Sequence, residues 1–228
     1  MKKAGLALIA VLVFAAALPA RAAARAWVEG HDYVVLHPAQ PTTVPAGKIE
    51  VMEVFSYACP FCNKFQPIIH RLERNLPARA RMVFLPAAFS PSEDWPMFQQ
   101  AFFAAQSLGI ASRTHQAIYD AVWKTGQLAI VDPLTNRLKN PRPSIEDAAR
   151  TYSQLTGVST QQFLAAARSF GVAMKMREAD AQITAMQVPG TPCLIIDGKY
   201  RIRASSMGSA SEVIGLVEFL VAKAAAGS

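Results

Sequence analysis

Hydrophobic and polar positions alternate in short runs at both ends of the chain and follow a helical period in its middle. "KIEVMEVFSY" (48–57) alternates and is rich in β-branched and aromatic residues, which predicts an interior strand. "HDYVVLHP" (31–38) and "ARMVFLPA" (80–87) predict two further strands, the first stopped by a proline. Between them, Phe65, Ile68, Ile69 and Leu72 recur at helical spacing behind Pro60, so residues 59 to about 75 should form a helix. From 92 to about 187 helix punctuation dominates. Ser92 or Asp94 should open one helix and Gly109 close it, and Ser112 and Gly126 should bound the next. Ser144 with Asp147, and Ser159 with Gln162, have capping-box spacing, and Gly157 and Gly171 are natural terminators. The last of these helices places Val172, Met176, Ala179, Ile183 and Met186 on one apolar face. "GTPCLIIDGKYRIR" then reads as strand, Asp-Gly turn and strand, and "SASEVIGLVEFLVAKAAA" as a closing helix.

Composition narrows the class. Of 228 residues 52% are hydrophobic and 17% charged, as in a globular chain with a sizeable core. The formal charge is +7, but Lys2, Lys3 and Arg21 contribute three of those charges within an acid-free leader. The densest later cluster, "NRLKNPRP" (136–143), reads as a solvated loop, and no basic stripe with interleaved aromatics suggests a nucleic-acid partner. "MKKAGLALIAVLVFAAALPARAAARAW" has two lysines, an apolar run from Ala4 to Leu18, and small residues after it. This is signal-peptide layout, with residues 1–24 as the leader and cleavage within about 20–25. The run is short for a bilayer span and ends at Pro19 and Arg21, so the mature protein should not span a membrane. Export would take it to a compartment where disulfides persist.

The candidate chemistry lies in "EVFSYACPFCNKFQP" (53–67), where Cys59 and Cys62 stand three apart. Three readings compete. A metal half-site needs two more ligands, and Cys193, His31, His37, His70 and His115 are not spaced as a second half. A structural staple closing so small a loop would remove little unfolded-state entropy. A redox couple suits the local physics. Pro60 at the first helical position puts Cys59 at the helix N-terminus, where unpaired N–H groups and the helix dipole favour thiolate. Cys59 then reads as the exposed attacking and leaving sulfur and Cys62, one turn on, as the buried resolving one. Cys193, the odd cysteine, reads as a small buried strand residue. Of the aromatic residues near the motif, Tyr57, Phe61 and Trp95 are expected to form an apolar surface beside Cys59, with Phe55 and Phe65 in the core.

A strand ending in "EVFSYACPFC", a helical insert, "GTPCLIIDGKY" and a final helix together resemble the DsbA family of thiol:disulfide oxidoreductases, over roughly residues 31–222. The resemblance implies an α/β, thioredoxin-like fold interrupted by a helical domain: residues 25–91 and 188–228 as its two parts, 92–187 as the insert. It implies a periplasmic, monomeric dithiol oxidase for reduced, unfolded exported proteins. Its redox group would be the Cys59–Cys62 disulfide, with no metal or other cofactor, reoxidised by a DsbB-like membrane quinone reductase. It also implies that Pro192, not Pro189, is a cis-proline facing the couple, with the Thr191 backbone pairing with substrate. Glu53, which by itself reads as an exposed strand carboxylate, becomes a buried acid handling the Cys62 proton. Some relatives pair that acid with a lysine on the neighbouring strand; here only Arg79 and Arg81 are on offer. Family members best known for this chemistry carry histidine where Phe61 stands, so a less stabilised Cys59 thiolate and a milder oxidant are expected.

Overall fold

Five strands form one mixed sheet in the order β1-β5-β4-β2-β3 in the computed structural model, which describes residues 26–227. The strands are β1 (Tyr33–Val35), β2 (Ile49–Phe55), β3 (Ala80–Pro86), β4 (Cys193–Ile196) and β5 (Tyr200–Ile202). Helix α1 (Pro60–Asn75) makes the crossover from β2 to its parallel neighbour β3. Five helices follow before β4: α2 (Trp95–Ser107), α3 (Ala111–Trp123), α4 (Ile145–Thr156), α5 (Thr160–Ala167) and α6 (Phe170–Ala185). Helix α7 (Ala210–Ala226) closes the chain. The leader expected over residues 1–24 lies outside the described residues. Among those described, no helix is long and apolar enough to cross a membrane.

Strand β2 is buried along its whole length because it is paired on both edges and covered on both faces. Its alternation divides the interior. Val51 joins Leu194 and Ile196 against Ile69 and Leu72 of α1 and Val213, Leu216 and Leu220 of α7. Met52 and Val54 join Cys193 and Ile195 in a second core with Phe98, Phe102, Ile118 and Tyr119 of the helical block. The register sets Glu53 opposite Phe84 on β3 and Leu194 on β4.

Local signals account for most element ends. Both capping boxes form: Ser144 and Asp147 satisfy each other's backbone N–H groups, and Ser159 and Gln162 do the same. Each contributes about 1 kcal/mol. In the β4–β5 hairpin Asp197 and Gly198 take φ of 55° and 59°. A Cβ on Gly198 would lie 2.0 Å from the Gln40 carbonyl oxygen, so that position requires glycine. Of the two openers expected for α2, Asp94 takes the N-cap position (φ 58°, with no side-chain cap bond) and Ser92 sits in the 3₁₀ turn before it (Pro91–Glu93). Two boundaries differ from expectation. Helix α3 starts one residue before Ser112, with no side-chain cap. Gly171 does not end a helix; Ser169 accepts from the Val172 N–H and starts α6 around the glycine. Its φ is not positive, so nothing there demands a stop.

Candidate active site

Strand β2 ends at Phe55, and residues 56–59 carry the chain to the start of α1. This short loop is held from outside the sheet. The Trp123 indole N–H donates to the Tyr57 carbonyl (2.8 Å), and the Tyr119 hydroxyl to the Ser56 carbonyl (3.5 Å). The Tyr57 hydroxyl meets His115 Nδ1 at 3.0 Å. His115, Tyr119 and Trp123 recur every four residues on one face of α3, so the helical block grips the loop through a single stripe. Burial among Phe55, Phe84 and Tyr119 pushes the His115 pKa down to about 3, so this histidine stays neutral. Sequence reading assigned the stripe no role, although its i, i+4, i+8 spacing was there to be seen.

Cys59 is the N-cap of α1, in extended conformation (φ −79°, ψ 117°), with Pro60 next. Its Sγ accepts from the Cys62 backbone N–H at 3.4 Å. The Cys62 thiol stabilises the Cys59 thiolate most. Burial opposes it, while the Thr191 side chain and the backbone N–H groups of Cys62 and Phe61 add to it, and the pKa comes down to about 6. Cys62 behaves in the opposite way: burial, its bond to Cys59 and the nearby Glu53 hold its pKa well above the thiol range. All three cysteines are free thiols in the structure. The expectation of an exposed Cys59 needs correction. It is only 3% exposed, against 0% for Cys62, and the Thr191 carbonyl lies against its sulfur.

That loop brings in the remaining candidates. The Thr191–Pro192 peptide is cis and Pro189 is not among the cis prolines. The Thr191 carbonyl oxygen lies 3.5 Å from Cys59 Sγ, close enough to accept from the thiol. Its buried hydroxyl has no hydrogen-bond partner and favours the thiolate at both sulfurs. A groove of about 460 Å³ runs beside the couple, lined by Phe61, Phe65, Gly190, Pro192, Ile202 and Met207 among others. The expected apolar surface is smaller than predicted from sequence. Phe61 is 67% exposed, but Tyr57 and Trp95 are buried, the first turned toward His115 and the second under Phe89. Phe89, passed over in the sequence, is exposed instead.

Glu53 is fully buried, and burial first, then the charges of Glu73 and Cys59, hold its carboxyl well above the usual range. Arg79 and Arg81 are exposed, and among the described residues no cation acts on the carboxyl. Cys193 is buried on β4 opposite Val54, and burial pushes its thiol up to about 11. It shares a core with Cys59 and Cys62 and also lines the groove. Among the described residues no group of three or more His, Cys, Asp or Glu is placed to hold a metal ion.

Residues 50–214 match the DSBA-like thioredoxin domain family. The thiol:disulfide interchange protein DsbA of Pseudomonas aeruginosa is 32% identical over 218 residues, covering 96% of this chain and 95% of that protein. The chain belongs to the DSBA-like thioredoxin family. Its fold is accordingly the thioredoxin-like α/β fold with helices between β3 and β4. Azotobacter vinelandii DsbA is 31% identical over 84% of this chain and 82% of its own length. Among solved structures, P. aeruginosa DsbA superposes with a TM-score of 0.73 at 32% identity, covering 88% of this chain and 96% of that one. The oxidoreductase DsbA of Xylella fastidiosa gives 0.75 at 27% identity, covering 87% and 98%. The DSBA-like chain is thus a thiol:disulfide oxidoreductase.

Proposed function

We propose that this DSBA-like protein is a periplasmic, monomeric dithiol oxidase that introduces disulfides into reduced, unfolded exported proteins. Its working group is the Cys59–Cys62 disulfide with no other cofactor, and a DsbB-like membrane quinone reductase restores it. On this reading residues 1–24 are a cleaved leader, 25–91 and 188–228 form the thioredoxin-like unit, and 92–187 are an inserted domain. The observation that carries the proposal is the opposed ionisation of two sulfurs one turn apart: Cys59 near pH 6, Cys62 far above it.

A substrate thiolate attacks Cys59 Sγ, the Cys59–Cys62 bond breaks, and a mixed disulfide forms. The leaving Cys62 thiolate, disfavoured by burial, takes the proton of the Glu53 carboxylic acid. A second substrate thiolate attacks the substrate sulfur of the mixed disulfide and expels Cys59 as thiolate. Two substrate thiols have become a disulfide, and the enzyme disulfide has become Cys59 thiolate and Cys62 thiol. A leaving sulfur of pKa about 6 departs readily, which favours substrate oxidation over reduction. The groove beside Thr191 and Pro192 suits an extended substrate segment, with the Thr191 backbone pairing with it and apolar walls that ask for no particular sequence.

Oxidative refolding of a reduced model protein tests this. Wild type should catalyse disulfide formation, Cys59→Ser should not, and Cys62→Ser should accumulate mixed disulfide. Efficient isomerisation of scrambled disulfides with weak oxidation would overturn it.

A further inference from the structure

The mechanism asks Glu53 to exist in two states, acid and carboxylate, in a place where both are hard to accommodate. It is 0% exposed, and neither carboxyl oxygen has a hydrogen-bond partner. The strand register gives it Phe84 on one side and Leu194 on the other, so the sheet offers it no polar side chain. The groups that do act on it are anionic or neutral: Cys59 at the N-cap of α1 and Glu73 further along that helix. Its own charge is felt at Cys62 on α1, at Tyr57 of the preceding loop and at Tyr119 of α3. Among the described residues no lysine, arginine or histidine acts on it directly.

One neutral amide side chain, buried on α1, acts on this carboxyl. Gln66 lies one helical turn after Cys62, on the same face of α1, and is 3% exposed. Both its amide oxygen and its amide nitrogen are buried without partners, as are both oxygens of Glu53. A glutamine has no reason to be buried at that face for packing alone, since its amide loses water without compensation. Of the groups acting on Glu53, Gln66 alone pulls it towards ionisation, although no hydrogen bond of ordinary geometry joins them at rest.

We infer that Gln66 is a positioning residue for Glu53, whose amide follows the carboxyl through its change of charge. Towards the carboxylate Nε2 donates; towards the carboxylic acid Oε1 accepts the O–H. An amide can serve both states because it carries a donor and an acceptor two bonds apart, whereas a lysine serves only the charged one. The bond to the charged state is the stronger, so Gln66 keeps the Glu53 pKa from rising still further. This inference rests on the proposed role of Glu53 as the acid–base partner of Cys62.

The test uses the full mature chain with Gln66→Met, which keeps length and apolar packing, and Gln66→Leu as a second fill. Infrared spectra of the reduced protein report the Glu53 carboxylic acid band, identified by its loss in Glu53→Gln. Its midpoint should rise by about one pH unit in both Gln66 variants, a tenfold weaker acid. The second measurement is resolution of a mixed disulfide between Cys59 and glutathione. There the Glu53 carboxylate takes the Cys62 proton, the Cys62 thiolate attacks Cys59 Sγ, and glutathione thiolate leaves as the Cys59–Cys62 bond forms. Its pH midpoint should rise by the same amount, and the Gln66 substitution should have no further effect on a Glu53→Gln background. A carboxylic acid band whose midpoint does not move in folded Gln66→Met overturns the inference. If resolution is instead unaffected by Glu53→Gln, the Glu53 reading itself fails, whatever Gln66 does.

Discussion

Cys59 and Cys62 occupy the same helix one turn apart, and their surroundings are opposite in kind. Around Cys59 the helix start supplies donors: the Cys62 thiol and the N–H groups of Phe61 and Cys62 converge on its sulfur. Around Cys62 the chain supplies none of these; it is fully buried, with a raised carboxyl behind it. Whole-residue exposure does not separate them, since both are almost inaccessible. At Cys62 burial is the largest influence, while at Cys59 the Cys62 thiol outweighs it. The end-on geometry of an α-helix adds to the contrast, because its first N–H groups are unpaired and face the N-cap. A redox couple with one leaving sulfur and one proton-requiring sulfur follows from placing a Cys-x-x-Cys across that boundary.

The comparison is most easily broken at Cys59. Cys59→Ser should bring substrate oxidation to the uncatalysed rate, measured by refolding of a reduced protein, while leaving the far-ultraviolet spectrum unchanged. Next comes the proton side: Glu53→Gln should slow resolution of a Cys59 mixed disulfide by about 10²-fold near neutral pH, the range for loss of a general acid–base. It should also lower the Cys62 pKa, because the Glu53 charge now raises it.

The two sides can be separated by pH. Alkylation of the reduced protein should titrate Cys59 with a midpoint near 6 and leave Cys62 unmodified across the same range. The folded Cys59 pKa of about 6 lies below its ordinary 9.0. The resulting stabilisation of the reduced form is therefore complete above about pH 9 and is lost as pH falls through 6. Denaturant midpoints of reduced and oxidised protein, compared from pH 5 to 9 (an interval chosen to span both values), should show the reduced form gaining steadily as pH rises. A difference independent of pH would mean that Cys59 has no special ionisation.

The smallest expected effect sharpens the comparison instead of breaking it. Phe61 acts on Cys59 through its backbone N–H, while its exposed ring gives the thiolate nothing. Phe61→His should lower the Cys59 pKa by about one unit, as a partial charge or donor beside a thiolate does. The mutant should be correspondingly more oxidising in equilibrium with glutathione. An unchanged or higher Cys59 pKa would show that the second intervening position does not tune this couple.

Much of this site is local, and so was legible in the chain. Pro60 after Cys59 announces a helix start, and a helix start dictates where donors point. The capping boxes at Ser144 and Ser159 and the Asp197–Gly198 turn are likewise short-range chemistry, and they formed as read. What escaped depended on how neighbours pack or compete. Tyr57 looked like a surface aromatic but is covered by α3, far along the chain, and Trp95 is covered by Phe89, which folds back from just before its own helix. Gly171 looked like a terminator because a glycine's preference is weak against a serine cap two residues earlier.

By itself the sequence determined the redox pair, its position at a helix N-terminus and the order of elements, because each depends on residues within a turn or two of one another. Only the tertiary structure decided that Glu53 is buried between Phe84 and Leu194. It alone decided that Thr191 lies against Cys59, and that an amide from α1, not a cation from β3, acts on the acid. Those are matters of register and packing, where a carboxyl's charge depends on which strand edge and helix face enclose it, and no local pattern of residues carries that information.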